Sequence, residues 1–399
     1  MNLGELIFEI GTEEIPAGFV PLALSSLKQI AGASLSAGRV PFEEINVYGT
    51  PRRLTLHITG LALTQPDAVE EVMGPSVTVA FGPDGALTKA GEGFARSKGA
   101  APADIYRVVT DKGEYIAVKK TLKGCDTALL LKEELPRWMA KIPFRKSMRW
   151  GSGETAFARP IHWILALLDG EIVDFEYAGV KSGRMIKGHR FHSTGYFEVM
   201  DAPDYFRKLR EASVILSQDE RKEIIASQVT EAAKKVGGQV LMDEELLDTV
   251  TFLVEQPTAV TGSFEPHYLE LPRELLILSM KTHQKYFAVT DGEGKLLNHF
   301  VTVSNTAARD LSVVARGNER VLRARLSDAS FFFVEDQKIS LEEHAEELKR
   351  VVFQSKLGTS WEKMERFRAI AGELAQKLCP ASAPTVDRIA HLCKADLCT

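Results

Sequence analysis

Within residues 272–336 the apolar positions change period twice, and that change constrains the fold more than any other stretch of the chain. Pro272 suits the first position of a helix, where a missing N–H costs nothing. Leu276, Met280, His283 and Phe287 then follow at helical spacing. Residues 286–290 and 296–304 read as two strands joined by Asp291-Gly292-Glu293-Gly294, a hairpin turn signal. Gly317-Asn318-Glu319 opens a second helix, in which Leu322, Leu326, Ala329 and Phe333 recur at helical intervals and need a core to pack on.

Arg316, Arg320 and Arg323 lie on the other face of that second helix and project within one narrow sector. Such a row can grip phosphates or carboxylates with its forks of donors. It is equally compatible with a solvated face paired to nearby acids. A second basic group, Arg145, Lys146 and Arg149, is interleaved with Met148 and Trp150. Cations alternating with aromatics can hold a nucleic-acid strand by charge and stacking. They can also lock a loop onto a helix with the tryptophan buried.

Several long words stand in a fixed order along the chain: LIFEIGTEEIPAGF (6–19), YGTPRRLTLHI (48–58), IPFRKSMRWG (142–151), FARPIHWILALLDG (157–170), GHRFHS (188–193). LPRELLILSMKTHQKYF (271–287), GKLLNHFVTVSN (294–305), GNERVLRARLSDASFFF (317–333) and VVFQSKLGTSWEKMERF (351–367) continue the series. Together they resemble the β subunit of bacterial heterotetrameric glycyl-tRNA synthetase. The resemblance implies an α+β fold. A mixed body over residues 1–336, similar to the B3/B4 module of phenylalanyl-tRNA synthetase and with a sub-boundary near 195–215, would be followed over 337–399 by the start of an all-α, HD-type region. That region is expected to be cut off at its C-terminus, without the anticodon-binding module of the family.

It further implies a subunit of an ATP-dependent glycine–tRNA ligase, active in the cytoplasm, supporting tRNA recognition and assembly with a catalytic α subunit as α2β2. ATP and Mg would be held by the α subunit, with no cofactor, metal or catalytic residue on this chain. Arg316, Arg320, Arg323, Arg145, Lys146 and Arg149 are then the candidates for glycine tRNA contact, since basic side chains supply most sequence-independent binding. Two other readings are an interaction body that docks the α subunit without touching tRNA, and a vestigial aminoacyl-tRNA editing module. An HD-type hydrolase would need a His-Asp pair of metal ligands, and no His-Asp dipeptide occurs.

Charge and composition fit this picture. The 399 residues carry a net charge of −5, which argues against indiscriminate polyanion binding. Residues 137–192, however, hold ten Lys/Arg against five Asp/Glu, and residues 272–325 hold nine against five. Two basic tracts on an acidic background suit local contact with a polyanion. No apolar run approaches the roughly 20 residues that span a bilayer. Cys125, Cys379, Cys393 and Cys398 show neither CxxC nor zinc spacing, so disulfides are not expected in a reducing compartment.

The remaining chain supplies local expectations. Strands are expected over 6–10, 54–58 and 115–119, and helices over 21–33 and 127–141, the latter burying Leu130, Leu131, Leu135, Trp138 and Met139. Pro160 is expected to open a helix over 161–168. Arg52 and Arg53 follow a turn and can serve an anion or point to solvent. Gly82-Pro83-Asp84-Gly85 reads as a loop before a short helix near Gly91, since no phosphate-loop spacing surrounds it. His189 and His192 are three apart; without a third ligand they can make loop hydrogen bonds or form part of a metal site. Helices are expected over 205–212, 219–235 and 244–254, then one long helical stretch over 341–378 broken at 357–360. A linker over 379–384 and a last helix over 386–396 complete the chain.

Overall fold

The computed structural model describes residues 2–82 and 85–399. Pro83 and Asp84 of the Gly82–Gly85 turn lie outside the described residues. The chain forms two compact units: one of residues 1–226, 247–258 and 304–307, the other of 227–246, 259–303 and 308–399.

In the first unit, β1 (Leu3–Thr12) runs into α1 (Val20–Ala37), and β2 (Glu44–Thr50) pairs with β3 (Arg53–Ala62). β4 (Ala68–Ser76), α2 (Val77–Ala80), α3 (Lys89–Ser97), β5 (Ile105–Thr110) and β6 (Gly113–Leu122) follow. The three strands make a sheet of order β4-β6-β5. After α4 (Thr127–Lys141) come β7 (Ile161–Leu168), β8 (Glu171–Ile172), β9 (Glu176–Tyr177) and β10 (Val180–Gly183). With β1 to β3 they build a seven-stranded sheet of order β2-β3-β1-β7-β10-β9, in which β8 pairs with β7. β11 (Met185–Lys187) pairs with β12 (Tyr196–Glu198), and α5 (Ala202–Glu211) follows.

Residues 161–168 are a strand and not the helix expected from Pro160. The run IHWILALL is buried at every position but His162, because β1 and β10 flank it and both sheet faces are covered. A strand buried on both faces loses the polar alternation that marks strands, and its continuous apolar run is indistinguishable by period from a buried helix. Burial divides the sheet. Leu6, Phe8 and Ile10 of β1 face α1 and α4, where Leu27, Leu35, Leu131, Leu135 and Trp138 complete the larger core. Ile7, Trp163, Leu165 and Leu167 face α5, against Tyr205 and Leu209. The expected buried side of α4 is present, with Leu130 only partly covered.

Further along are α6 (Gln218–Lys235), β13 (Gln239–Val240) and α7 (Glu244–Thr251). In the second unit β14 (Thr258–Ser263), α8 (Arg273–Leu278), β15 (Phe287–Thr290) and β16 (Leu296–Ser304) follow, with sheet order β13-β15-β16-β14. The expected hairpin is there: Asp291 Oδ1 accepts from the N–H groups of Glu293 and Lys295, both at 2.9 Å. The helix from Pro272 does not reach Phe287. A π-helical turn over Ser279–Gln284 ends at Lys285 in the left-handed region (φ 58°), and His283 is exposed. That turn aims Tyr286 inward, where it stacks on Phe300 at 4.5 Å.

α9 (Leu311–Asp336) begins six residues before the expected Gly317 start. Asp310 caps it, its carboxylate accepting from Ser312 N at 2.9 Å. Gly317 is tolerated inside the helix at about 1 kcal/mol. Leu322 and Leu326 are buried, whereas Ala329 and Phe333 are only partly covered. The helical stretch expected over 341–378 does break at 357–360, but its first part is shorter than expected: α10 (Leu341–Glu347) gives way to a hairpin of β17 (Val352–Gln354) and β18 (Gly358–Thr359) before α11 (Ser360–Leu378). The expected linker over 379–384 is a 3-10 turn leading directly into α12 (Ala383–Leu392).

Candidate functional site

Strand alternation places Glu9 on the α5 face of β1, between Ile7 and Gly11, in an otherwise apolar layer. The register sets Gly11 opposite Arg53 on one side and Trp163 on the other. A Cβ on Gly11 would lie 1.8 Å from Trp163 Cε2, so the indole covers the strand only because residue 11 has no side chain. From there Trp163 Nε1 donates to Glu9 Oε1 at 2.5 Å. Tyr205 hydroxyl donates to Glu9 Oε2 and lies 2.8 Å from Thr55 Oγ1.

Arg53 is fully buried and saturated. Its Nη1 donates to Glu9 at 3.2 Å, its Nε to Glu255 at 3.1 Å, and its Nη2 to the carbonyl of Lys187 at 3.1 Å. Burial alone would lower its pKa, but Glu9 and Glu255 outweigh burial and raise it. Burial pushes the Glu255 carboxyl up, while Arg53, the Thr50 hydroxyl and Arg52 bring it below the usual range. Burial and Glu9 hold the Tyr205 phenol well above its usual value. Arg221 is equally buried and meets no carboxylate; its donors go to the carbonyls of Gly49, Ile215, Leu216 and Thr251 at 2.6–3.0 Å. Burial lowers it to about 10.

Beside this network lies a cavity of about 320 Å³ lined by Glu13, Arg52, His162, Lys187, His189, Arg190 and Tyr196, among others. His189 and His192 stack at 4.7 Å. His189 Nδ1 accepts from the N–H groups of Phe191 and His192, which assigns the proton to Nε2, donating to Asn305 Oδ1 at 3.2 Å. Asn305 Oδ1 also accepts from Glu255 N at 2.7 Å, and His192 Nε2 accepts from Ala307 N at 3.0 Å. The loop hydrogen bonds weighed for these histidines are thus formed, and burial lowers the pKa of His189. Among the described residues no group of three or more His, Cys, Asp or Glu is placed to hold a metal ion.

The two arginine-rich sequence candidates fall in different units. Arg145, Lys146 and Arg149 are exposed on the loop after α4 in the first unit, and Arg149 Nε donates to the Glu154 carbonyl at 3.1 Å. Trp150 of that loop is partly buried against the larger core, as in the structural alternative. Arg316, Arg320 and Arg323 are exposed along α9. They are not equivalent: Arg323 pairs with Glu265, and Arg316 Nη1 donates to Ser312 Oγ at 3.0 Å. Arg52 and Arg53 are not solvated turn residues: Arg53 serves the Glu9 and Glu255 carboxylates inside the unit, and Arg52, 6% exposed, lines the cavity beside them.

A family model described as "Glycyl-tRNA synthetase beta subunit" matches residues 6–399. The chain belongs to the glycyl-tRNA synthetase beta subunit family. It is 53% identical over 393 residues to the glycine–tRNA ligase beta subunit of Trichlorobacter lovleyi, covering 98% of this chain and 57% of that relative. The corresponding subunit of Geobacter sulfurreducens is 51% identical with the same coverage. That of Syntrophus aciditrophicus is 50% identical over 395 residues, 99% of this chain and 57% of the relative. The chain therefore spans 57% of the length of these relatives.

In this member of the synthetase beta subunit family, Glu9, Glu255, Tyr205, Asn305 and Lys187 were not singled out by sequence reasoning. A lone glutamate inside the apolar run LIFEI was the one available signal that a buried cation must meet it. Nothing in the spacing of Glu255 or Asn305 announces that partner, because both arrive from distant segments.

Proposed function

We propose that this chain acts as part of the β subunit of an ATP-dependent glycine–tRNA ligase, working in the cytoplasm in glycyl-tRNA formation for translation. The family match across residues 6–399 carries this reading. A catalytic α subunit would hold glycine, ATP and Mg, and α2β2 is the proposed assembly. The first unit would be similar to the B3/B4 module of phenylalanyl-tRNA synthetase. Residues 337–399 would be the opening part of an HD-type region, separate from the body at 1–336; their helices α10 to α12 packing mainly on one another supports that division. Among the described residues no helix is long and apolar enough to cross a membrane.

Glycine tRNA would be contacted through its phosphates by Arg145, Lys146 and Arg149 and by Arg316, Arg320 and Arg323. Their exposure supports this. A second reading, docking of the α subunit, draws on the apolar C-terminal end of α9. There Phe331 and Phe332 are 60% and 62% exposed. The test is reconstitution. The chain is mixed with its α subunit and glycine tRNA, complex formation is followed by light scattering, and tRNA affinity is measured with and without the six basic residues changed to Ala. Co-elution with α and loss of tRNA affinity in the variant support the full reading. Co-elution with tRNA affinity unchanged leaves the docking reading alone, and failure to bind either partner overturns both.

A further inference from the structure

Among the described residues three arginines are buried in the first unit, and two of them find a partner for every guanidinium nitrogen. Arg53 does so on two carboxylates and a carbonyl, Arg221 on four carbonyls. Arg52 does not. It is 6% exposed, its Nε is buried without a hydrogen-bond partner, and among the described residues its guanidinium forms no ion pair. The Trp163 ring lies 5.7 Å from its Cζ, and the Glu255 and Glu13 carboxylates act on it through space without a hydrogen bond. A buried N–H donor left without an acceptor is disfavoured unless something completes it.

Arg52 lines the cavity of about 320 Å³, at the lower end of the size range for small-ligand sites. The acid on that cavity, Glu13, is already engaged by Arg190 and lies 3.8 Å from His162. Lys187 makes no ion pair among the described residues, and its ammonium sits 4.6 Å from the Tyr196 ring centroid. Two cations without an ion-pair partner at contact distance, one deep and one at the wall, thus stand beside an aromatic ring that is 47% exposed.

We propose that this cavity is a phosphate site for a nucleotide. The Arg52 fork and the Lys187 ammonium would take the phosphate oxygens, and Tyr196 would offer its face to the base. The orphaned Arg52 Nε and the Lys187 ammonium supply donors that a phosphate accepts, and a guanidinium fork fits phosphate geometry. The exposed ring adds a stacking surface that a nucleotide uses and a bare anion does not. A free mononucleotide and the terminal nucleotide of an RNA strand present the same chemistry.

The probes contain no tRNA and no α subunit, so this proposal stands or falls apart from the ligase reading. The chain is titrated with AMP, with adenosine, and with a short 5′-phosphorylated single-stranded RNA, by calorimetry and thermal shift. AMP is expected to bind and raise the melting temperature, with adenosine about tenfold weaker, the loss of a charge-assisted contact. Arg52→Met should weaken AMP about tenfold with little change in the melting temperature of the unliganded protein, because it removes an orphaned buried donor but also a cation that acts on Glu255. Should that variant fail to fold, Lys187→Met on the cavity wall is expected to show the same weakening. Tighter binding of the RNA than of AMP would assign the site to a strand end, and equal or weaker binding to a free mononucleotide. The proposal is overturned if AMP does not bind at millimolar concentration, if both variants bind it unchanged, or if Arg52→Met lowers stability while leaving AMP affinity intact.

Discussion

Arg53 and Glu255 lie 202 residues apart in sequence and meet at 3.1 Å with both side chains out of solvent. Together with Glu9 they hold β3, β1 and the segment after α7 to one point inside the first unit. Removing one member of such a set leaves the others as uncompensated buried charge, which typically costs about 3–5 kcal/mol. Arg53→Met should therefore lower the unfolding free energy of this unit, read from chemical denaturation, by an amount in that range. Adding Glu9→Gln and Glu255→Gln should restore part of the loss. A variant in which the two carboxamides restore nothing would mean that the arginine acts through packing and not charge.

Gly11 tests the same layer by volume. An added methyl would meet Trp163 at 1.8 Å, in a sheet whose strands cannot separate without breaking ladders on both sides. Gly11→Ala is expected to destabilise by about 1–3 kcal/mol. It should also change the tryptophan emission as the Trp163 indole leaves Glu9. Chemical denaturation and fluorescence read the two effects.

The buried imidazole gives a pH dependence of definite sign. His189 is held below its ordinary value by burial, against the opposing pull of Asn305 and Glu255. In the unfolded chain it titrates near pH 6.5. Between that value and its lower folded value the unfolded chain binds more protons, so the stability it contributes is complete above about pH 6.5 and is lost as pH falls through that window. The Glu255 carboxyl, also lowered, acts in the same direction but in a more acidic range. The stability difference between the native chain and His189→Gln should narrow between about pH 7.5 and 5.5. A difference that stays constant would show that His189 contributes no proton linkage.

The arginine row on α9 should respond unevenly to substitution if it meets tRNA. Arg320 forms no bond to another side chain among the described residues, Arg316 is lightly held by Ser312, and Arg323 is paired with Glu265. Arg320→Ala should weaken tRNA binding most and Arg323→Ala least. Each lost phosphate contact should flatten the salt slope by roughly 0.7–0.9. Equal effects at all three positions would mean that the Glu265 pair opens on binding.

Much of the fold was legible locally. The hairpin at Asp291 and the buried side of α4 follow from period and turn chemistry, which neighbours in sequence carry by themselves, and the α+β class came with the family resemblance. Errors arose where burial removed the pattern or a cap was overlooked. The run 161–168 lost its alternation by lying between two strands. The start of α9 was set by the Asp310 cap and not by Gly317.

The sequence alone determined the family, since its long words stand in one order along the chain, and showed which segments are rich in cations. Only the tertiary structure decided what each cation is for. Arg52 and Arg53 are adjacent and identical in type, yet one is saturated by Glu9 and Glu255 and the other is left facing a cavity. Both guanidinia stand 5.7 Å from the Trp163 ring, yet only that of Arg53 reaches the two carboxylates at hydrogen-bond distance. What each meets is set by segments far away in sequence, and those contacts exist only once the sheet has closed.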